Sequence, residues 1–345
     1  MTRSWLAAGA LTVFAAASTL MSPPASAQGQ LVMYCGVQEE WCRAMSTNFE
    51  RETGIKVSMT RKSAGEIYAQ LKAESANPRG DIWWGGTGDP HLQAAEEGLT
   101  TEYESAANKD LHDWALAQWN AGKKRTMGIY AGALGFGFNT QQIKAKGLAE
   151  PKCWADLLDA KLKDDVQVAD PNSSGTAYNL LATIIQLMGE DKGFDYLKAL
   201  HKNINQYTKS GAAPAKATSL GETAVGIVFI HDAVVFAVQG DPVKPVAPCE
   251  GTGYEIGSMS IVKGARNLEN AKKFYDWALT PAAQGLAGAA KSYQLPSNKN
   301  APVPPQAPRM SEMKLISYDF VKYGSSAERT RLLAKWDREV KALPK

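Results

Sequence analysis

Strand-like and helix-like segments alternate in the first part of the chain, and this alternation restricts the fold more than any other feature of the sequence. Short apolar runs predict strands over residues 31–34, 55–60 and 81–84. Helical spacing and helix-stop residues predict a helix between successive strands, over residues 38–53 and 63–71. A strand joined to the next strand through a helix pairs with it in parallel, and the helix covers the sheet. The sequence therefore predicts an α/β fold with a largely parallel sheet.

The chain is long enough for two domains, because domains usually hold about 100–200 residues and this sequence has 345. Two extended segments, residues 132–139 and 255–262, predict two crossings of the chain between separate α/β lobes. Ligands of open α/β sheets bind beyond the carboxyl ends of the strands, so we expect a ligand cleft between the lobes. The predicted division is a first lobe of residues 28–132 plus about 256–310 and a second lobe of residues 133–255 plus about 311–345.

The N-terminal segment, residues 1–27, has the pattern of a secretory signal peptide. A basic residue precedes an apolar stretch over residues 5–20, and the small residues 25–27 form a cleavage site. A membrane anchor is the alternative, but the apolar stretch is short for a bilayer span and Pro23-Pro24 interrupts it. Gln28 follows the cleavage site, so no cysteine is present there to carry a lipid. We therefore predict an exported protein that is released from the membrane after cleavage.

Export changes how the four cysteines are interpreted, because disulfides form in oxidising compartments. Cys35, Cys42, Cys153 and Cys249 allow three pairings. We favour Cys35–Cys42, which closes a short local loop, and this choice leaves Cys153–Cys249. A zinc site is not expected, since the sequence has no C-x-x-C motif and its four histidines are scattered.

Composition excludes several classes of protein. The sequence has 38 Lys+Arg against 35 Asp+Glu, a net charge of +3, which is too small for binding to nucleic acid by bulk electrostatics. It lacks a nucleophile elbow, an H-E-x-x-H motif and the lysine of a P-loop. We therefore expect no enzyme activity, no cofactor and no resident metal.

Three loops at predicted strand ends open helices with small or hydroxyl-bearing residues. The first has a capping-box pattern that ends at Glu66, and the second is a glycine-rich turn. Simple helix capping or a flexible turn explains each loop taken alone. Together they favour an anion site, because helix N-termini offer free N–H groups and a positive potential. The predicted anion-binding residues are Ser63, Ala64, Gly65, Gly86, Thr87, Ser174, Gly175 and Thr176.

Two further polar positions interrupt apolar segments. His231 and Asp232 directly follow the apolar run 223–230, and Glu255 lies between Tyr254 and Ile256. Capping of the following helix is an alternative role for Asp232. Carboxylates repel a phosphate but accept hydrogen bonds from sugar hydroxyls or pair with an ammonium group. The sequence therefore predicts a ligand with an anionic head and a tail that carries hydroxyls or an amine.

The segment DIWWGGTGDPHLQAAEEGL over residues 81–99, the SSGTAY segment at 173–178 and the late His-Asp pair resemble the solute-binding proteins of bacterial ABC importers. Within that class the chain resembles the branch that contains the ferric-iron-binding proteins, and it is most similar to the hexose-phosphate-binding components. Ferric-iron binders typically have adjacent tyrosines where this chain has His231-Asp232. This difference argues against iron.

The resemblance implies a type II periplasmic binding protein of two lobes, in which Ser63, His231, Asp232 and Glu255 fall at the positions that recognise a hexose phosphate. It also implies a monomer whose partners are an inner-membrane ABC permease and its ATPase. Phosphonate binders, including those for 2-aminoethylphosphonate, share the architecture and are an alternative. Ferric-iron binding and a periplasmic phosphatase are further alternatives; the tyrosines considered as iron ligands are Tyr34, Tyr178 and Tyr254.

Overall fold

The computed structural model describes residues 1–2 and 29–344. The predicted signal peptide, residues 1–27, lies outside the described residues apart from its first two and stays a prediction. Within the described ranges, no helix combines the length and the apolar character that crossing a membrane requires.

Among the described residues, eleven strands form one mixed sheet. In chain order they are β1 (Gln30–Cys35), β2 (Lys56–Arg61), β3 (Ile82–Trp84), β4 (Thr100–Thr101), β5 (Met127–Asn139), β6 (Val166–Ala169), β7 (Ile204–Thr208), β8 (Val225–Phe229), β9 (Val243–Val246), β10 (Tyr254–Val262) and β11 (Leu295–Pro296).

The helices cover this sheet. They are α1 (Glu39–Thr53), α2 (Ala64–Ala73), α3 (Gly88–Glu96), α4 (Asp113–Ala121), α5 (Thr140–Ala145), α6 (Gly175–Met188), α7 (Glu190–His201), α8 (Ala213–Leu220), α9 (Ile230–Gln239), α10 (Leu268–Ala278), α11 (Pro281–Ala289), α12 (Phe320–Tyr323) and α13 (Ser326–Trp336).

The main strand order is β2-β1-β3-β10-β5-β8-β6-β7. Strand β1 pairs in parallel with β2 and β3, and β6 pairs in parallel with β7 and β8, whereas the central strands β10 and β5 pair antiparallel with their neighbours. The predicted alternation from β1 through α1, β2 and α2 to β3 is confirmed, and the fold is α/β. Parallel pairing is confined to the two outer parts of the sheet.

Strand β5 is shared by the two halves of the molecule. Its first half pairs with β10 and β11, and its second half pairs with β8 and β9. The chain returns through residues 247–253, where the Leu134 N–H donates to the carbonyl of Gly253 at 3.0 Å. The sequence placed this return at residues 255–262, but those residues pair with β3, β4 and β5 as part of β10. Where the return crossing ends within this part of the chain stays a prediction.

The two largest hydrophobic cores of the described residues contain opposite halves of β5. One core, which includes Phe49 and Phe274, packs around β1, β3 and β10, and we call this half the first lobe. The other core, which includes Phe136, Tyr178 and Trp336, packs around β6 and β8, and this half is the second lobe. Helix α13 packs on the second core through Trp336. The exact residue boundaries of the lobes stay a prediction.

Two disulfides are present, and they are the favoured pairing. Cys35–Cys42 joins the end of β1 to α1, and Cys153–Cys249 joins residues 96 apart in the chain. The first bridge closes the turn from β1 into α1. That turn contains residues 36–38, which line the cavity described below.

Candidate functional site

Six helices begin at one cavity between the two lobes. The cavity has residues of both lobes in its wall. The residues at helix starts that line it are Gln38 before α1, Ser63 and Ala64 at α2, Thr87 before α3, Gly175 and Thr176 at α6, Ala212 before α8, and His231 and Asp232 at α9. This convergence follows from the topology, because each of these helices comes directly after a strand whose carboxyl end faces the cleft.

The cavity is electropositive at these helix ends. The first N–H groups of a helix have no acceptor inside the helix, and the helix dipole adds about half a positive charge at that end. Arg61, the last residue of β2, is the one cationic side chain among the described residues that line the cavity. Its Nε donates to the Val37 carbonyl at 2.9 Å, and its Nη2 donates to Ser210 Oγ at 3.1 Å.

Burial shifts the pKa of Arg61 but does not remove its charge. Loss of solvent lowers the pKa of its guanidinium, whereas Glu66 and Asp232 oppose that change. A guanidinium stays protonated in proteins because its unperturbed pKa lies above about 12. The side chain therefore carries a positive charge next to the helix ends, which suits a dianionic ligand group.

Nine of the eleven predicted ligand-binding residues line the cavity. They are Ser63, Ala64, Gly86, Thr87, Gly175, Thr176, His231, Asp232 and Glu255. Gly65 and Ser174 do not line it. The Gly65 N–H donates to the Ser173 carbonyl at 3.0 Å, and Ser174 caps α6 by accepting from the Ala177 N–H at 3.5 Å. The structure thus brings the three predicted loops, the His231-Asp232 pair and Glu255 together at one cavity. Gly65 and Ser174 make contacts outside it.

The hydroxyl of Ser63 is already engaged by protein groups. Ser63 and Glu66 form the capping box that the sequence predicted, with the Ser63 N–H donating to Glu66 Oε2 at 3.1 Å. The Ser63 hydroxyl donates to the Lys209 carbonyl at 2.9 Å. Ser63 therefore has no hydroxyl proton left for a ligand, and the free backbone N–H of Ala64 is the better donor at this helix end.

Thr87 and Gly175 pack directly against each other in the cavity wall. Oγ1 of Thr87 is buried and has no hydrogen-bond partner among the described residues. A Cβ atom at Gly175 would lie 1.7 Å from this oxygen, so residue 175 must be glycine for the two loops to approach. A buried hydroxyl usually finds a hydrogen-bond partner, and a bound anion is a suitable one.

Three ionisable groups lie close together in the cavity wall. Nε2 of His231 lies 3.8 Å from Oδ1 of Asp232 and 3.9 Å from Oε1 of Glu255. Burial lowers the pKa of His231 to about 3 and raises that of Asp232 to about 7. Burial and the nearby Asp232 raise the pKa of Glu255 well above its usual range.

These shifts define what this part of the site offers a ligand. At neutral pH the imidazole of His231 is uncharged, and burial favours the neutral form of the Glu255 carboxyl. The side-chain amide of Gln294 donates to Nε2 of His231 at 3.1 Å. Neutral carboxyls and an imidazole present both donors and acceptors, which matches the hydrogen bonding of sugar hydroxyls.

Sequence reasoning missed several residues of the site. Gln38 donates to Oδ1 of Asp232 across the cleft, and Tyr130 accepts from the Gly86 N–H at 2.9 Å through its hydroxyl. The loop 209–212 after β7 contributes Gly211 and Ala212. That loop could have been predicted, since it leads from a strand into a helix, as the three predicted loops and the His231-Asp232 segment do. Arg61, Gln38, Tyr130 and Gln294 have no local pattern of this kind.

The tyrosines considered as iron ligands lie away from the cavity. The Tyr34 hydroxyl donates to Glu74 at 2.7 Å, and the Tyr178 hydroxyl donates to the Tyr323 carbonyl at 2.6 Å. Tyr254 packs against Phe320. The tyrosine that does line the cavity is Tyr130. The described part of the cavity wall therefore lacks the adjacent phenolates typical of ferric-iron binders.

Comparison with known proteins places this geometry in context. The profile of the family described as bacterial extracellular solute-binding protein matches residues 87–323. A protein of Haemophilus influenzae is 44% identical over 332 residues, which cover 96% of each chain. A Salmonella paratyphi A periplasmic protein named for 2-aminoethylphosphonate binding is 27% identical over 293 residues, 79% of this chain and 80% of its own.

A solved structure is also closely similar. It is the periplasmic binding protein AfuA from Actinobacillus pleuropneumoniae with exogenous fructose 6-phosphate bound. The two chains are 45% identical and superpose with a TM-score of 0.88, over 92% of this chain and 100% of the other. This likeness confirms the predicted two-lobe α/β fold with a cleft between the lobes.

Proposed function

The chain belongs to the bacterial extracellular solute-binding proteins, and from this premise we propose that it captures a hexose phosphate in the periplasm. It delivers this ligand, as a monomer, to an inner-membrane ABC permease driven by its ATPase. The observation that carries the proposal is the composition of the cavity wall, which combines two parts: helix N-termini with Arg61, and a His-Asp-Glu group in which burial disfavours charge. One compound that fits both parts has a dianionic head and a body with several hydroxyls.

The phosphate binds where the helix ends meet. Backbone N–H groups of Ala64, Gly175 and Thr176 donate to its oxygens, and the unpartnered hydroxyl of Thr87 adds a further donor. Arg61 balances the charge from the side of the cavity nearest the second lobe. Each charge-assisted hydrogen bond contributes about 1.5–3 kcal/mol, so a few of them supply the roughly 8 kcal/mol of micromolar binding after ordering costs.

The sugar binds beside His231, Asp232 and Glu255. The Glu255 carboxyl, whose pKa burial raises, donates one hydrogen bond in its neutral form and accepts another, and the neutral imidazole of His231 adds a ring nitrogen. Asp232 connects the two lobes, because it lies at the start of α9 in the second lobe and Gln38 of the first lobe donates to its Oδ1. The sugar hydroxyls are therefore recognised at the junction of the two lobes.

We expect the protein to bind its ligand without carrying out a reaction on it. Members of this family are binding proteins rather than enzymes. His91 is buried and does not line the cavity: its Nδ1 lies 2.8 Å from Ser260 Oγ and its ring stacks on Trp83. The named groups in the cavity bind and orient a phosphate but supply no nucleophile aimed at it.

A second candidate ligand is 2-aminoethylphosphonate. Two carboxyl groups close to one imidazole nitrogen provide a site for an ammonium group, which would favour their ionised forms. The Salmonella paratyphi A relative named for this compound supports 2-aminoethylphosphonate as a candidate ligand. Burial disfavours the ionised carboxylates that an ammonium group would need, and we therefore rank the hexose phosphate first.

Calorimetric titration tests the proposal with five probes: fructose 6-phosphate, fructose, inorganic phosphate, 2-aminoethylphosphonate and ferric ion. We expect fructose 6-phosphate to bind most tightly, inorganic phosphate to bind weakly, and fructose to show no heat. Tighter binding of 2-aminoethylphosphonate supports the second candidate, and tight ferric-ion binding overturns both. Release of phosphate from fructose 6-phosphate during the incubation identifies an enzyme instead.

A further inference from the structure

Helix α2 contacts the second lobe directly, beside the cavity and not through it. The Gly65 N–H donates to the Ser173 carbonyl at 3.0 Å, and the Ser63 hydroxyl donates to the Lys209 carbonyl at 2.9 Å. Both acceptors are backbone carbonyls of the second lobe, and Gly65 does not line the cavity. These two bonds therefore join the lobes without any atom of a ligand. We call this pair of contacts the α2 latch.

The latch requires a residue without a side chain at position 65. A Cβ atom at Gly65 would lie 2.5 Å from the Asn172 carbonyl oxygen and 2.8 Å from that of Ser173. Both distances are shorter than the 3.0 Å below which something must shift, and both neighbours are backbone atoms that a rotamer change cannot move. A side chain at position 65 therefore keeps the lobes apart, because packed backbone does not compress.

The same side chain does not disturb the first lobe itself. Gly65 is in the first turn of α2, and its φ angle is not in the left-handed region that favours glycine. Alanine in a helix is more favourable than glycine by about 1 kcal/mol. The clash at position 65 is thus specific to the arrangement in which the two lobes meet.

We propose that Gly65 is a positioning residue for ligand capture, which acts by permitting the α2 latch and thereby the full approach of the two lobes. The inference rests on the proposed function, since a ligand held by groups of both lobes binds only when they meet. When a substitution lowers the population of the binding-competent arrangement, the apparent dissociation constant rises by the same factor. The sequence predicted Gly65 as a ligand contact; its role in closure differs from that prediction.

The test compares Gly65→Ala with Gly288→Ala. Gly288 is in α11, and a Cβ atom there would meet Pro304 at 3.6 Å, an ordinary contact. Each full-length mature protein is examined by calorimetry with fructose 6-phosphate, by small-angle X-ray scattering with and without that compound, and by thermal unfolding without it. The control separates the effect of blocking the latch from that of adding a methyl group to a helix.

We expect Gly65→Ala to bind fructose 6-phosphate about 10–100-fold more weakly than the parent and to keep a larger radius of gyration at saturation. Its melting temperature without ligand should equal or exceed that of the parent, which a merely structural defect would lower. Gly288→Ala should match the parent in affinity and radius. Parent-like affinity and radius in Gly65→Ala overturn the inference.

The test of the α2 latch and the test of the proposed ligand can fail independently. If the parent does not bind fructose 6-phosphate, the proposed ligand is wrong. The scattering without ligand still decides the inference: a larger radius in Gly65→Ala than in the parent and in Gly288→Ala supports it, and equal radii in all three proteins overturn it.

Discussion

Nε2 of His231 lies 3.9 Å from Oε1 of Glu255, although His231 belongs to the first turn of α9 and Glu255 to β10. Each residue is 3% exposed, so the pair is shielded from water. In these surroundings the neutral forms of both side chains are favoured, because burial opposes charge on each of them. The ionisation of this part of the cavity leads to the first two predictions.

We expect Glu255→Gln to keep the stability of the parent and its affinity for fructose 6-phosphate within about threefold at pH 7, because an amide resembles the neutral carboxyl in shape. Glu255→Ala should weaken binding about 10-fold or more, since it removes the hydrogen-bonding groups. Calorimetric titration of the two variants measures the difference. Equal losses in both would show that the ionised carboxylate is the binding form.

We expect Asp232→Asn to change how stability depends on pH. The pKa of Asp232 is about 7 in the folded protein and about 3.9 in the unfolded chain, so between these values the folded state holds a proton that the unfolded state has lost. The contribution of Asp232 to stability is therefore complete below about pH 4, declines as pH rises and levels off above about pH 7. The asparagine variant lacks this decline.

Urea unfolding without ligand at pH 5 and pH 8 measures this effect. The variant should gain about 2–4 kcal/mol relative to the parent between the two pH values. Asp113→Asn is the control, because Asp113 is exposed at the start of α4. Parallel profiles for the parent and Asp232→Asn would contradict the raised pKa.

We expect Arg61→Met to weaken the binding of fructose 6-phosphate about 10–100-fold, because it removes the positive side chain from a partly desolvated site. Methionine retains most of the aliphatic packing. Lys62→Met is a matched control that removes the same charge one residue away, where the Lys62 ammonium group contacts Gln70 and does not line the cavity. Similar losses in the two variants would indicate a general electrostatic effect and would contradict a direct role for Arg61.

A buried charge network behind the cavity leads to the last prediction. Arg329 is 1% exposed, its guanidinium lies 4.3 Å from the centre of the Tyr178 ring, and its Nε donates to Gln93 Oε1 at 2.9 Å. Burial raises the pKa of Asp89 to about 6, and the charge of Arg329 opposes this rise. Asp89 precedes Gln93 on α3, whose first turn is at the cavity.

We expect Arg329→Met to destabilise the protein by about 3–5 kcal/mol, since it leaves a buried carboxylate without a compensating charge. Combined with Asp89→Asn, the total loss should be smaller than the sum of the single losses. The coupling energy from a double-mutant cycle of urea unfolding should be larger at pH 8 than at pH 5, because Asp89 is ionised at the higher pH. Additive losses at both pH values would show that the two charges do not interact.

Much of the site could be predicted from the sequence because its parts are local. Strand-end loops that open helices are recognised from a few consecutive residues, and in parallel sheets these loops gather at one edge. Nine of the eleven predicted residues line the cavity for this reason. The disulfide Cys35–Cys42 was also predictable, since its cysteines are only seven residues apart.

What the tertiary structure decided is how the two lobes face each other. The bond from Gln38 to Asp232 joins residues 194 apart, and the bond from Ser63 to Lys209 joins residues 146 apart. The tertiary structure also places Gly65 against the second lobe and Arg61 in the cavity wall. Contacts between lobes depend on the packing of two separate cores across β5, and no local pattern of residue types records that packing. The amino-acid sequence by itself therefore determined the chemistry available at each loop, and only the folded molecule determined which partner each group has.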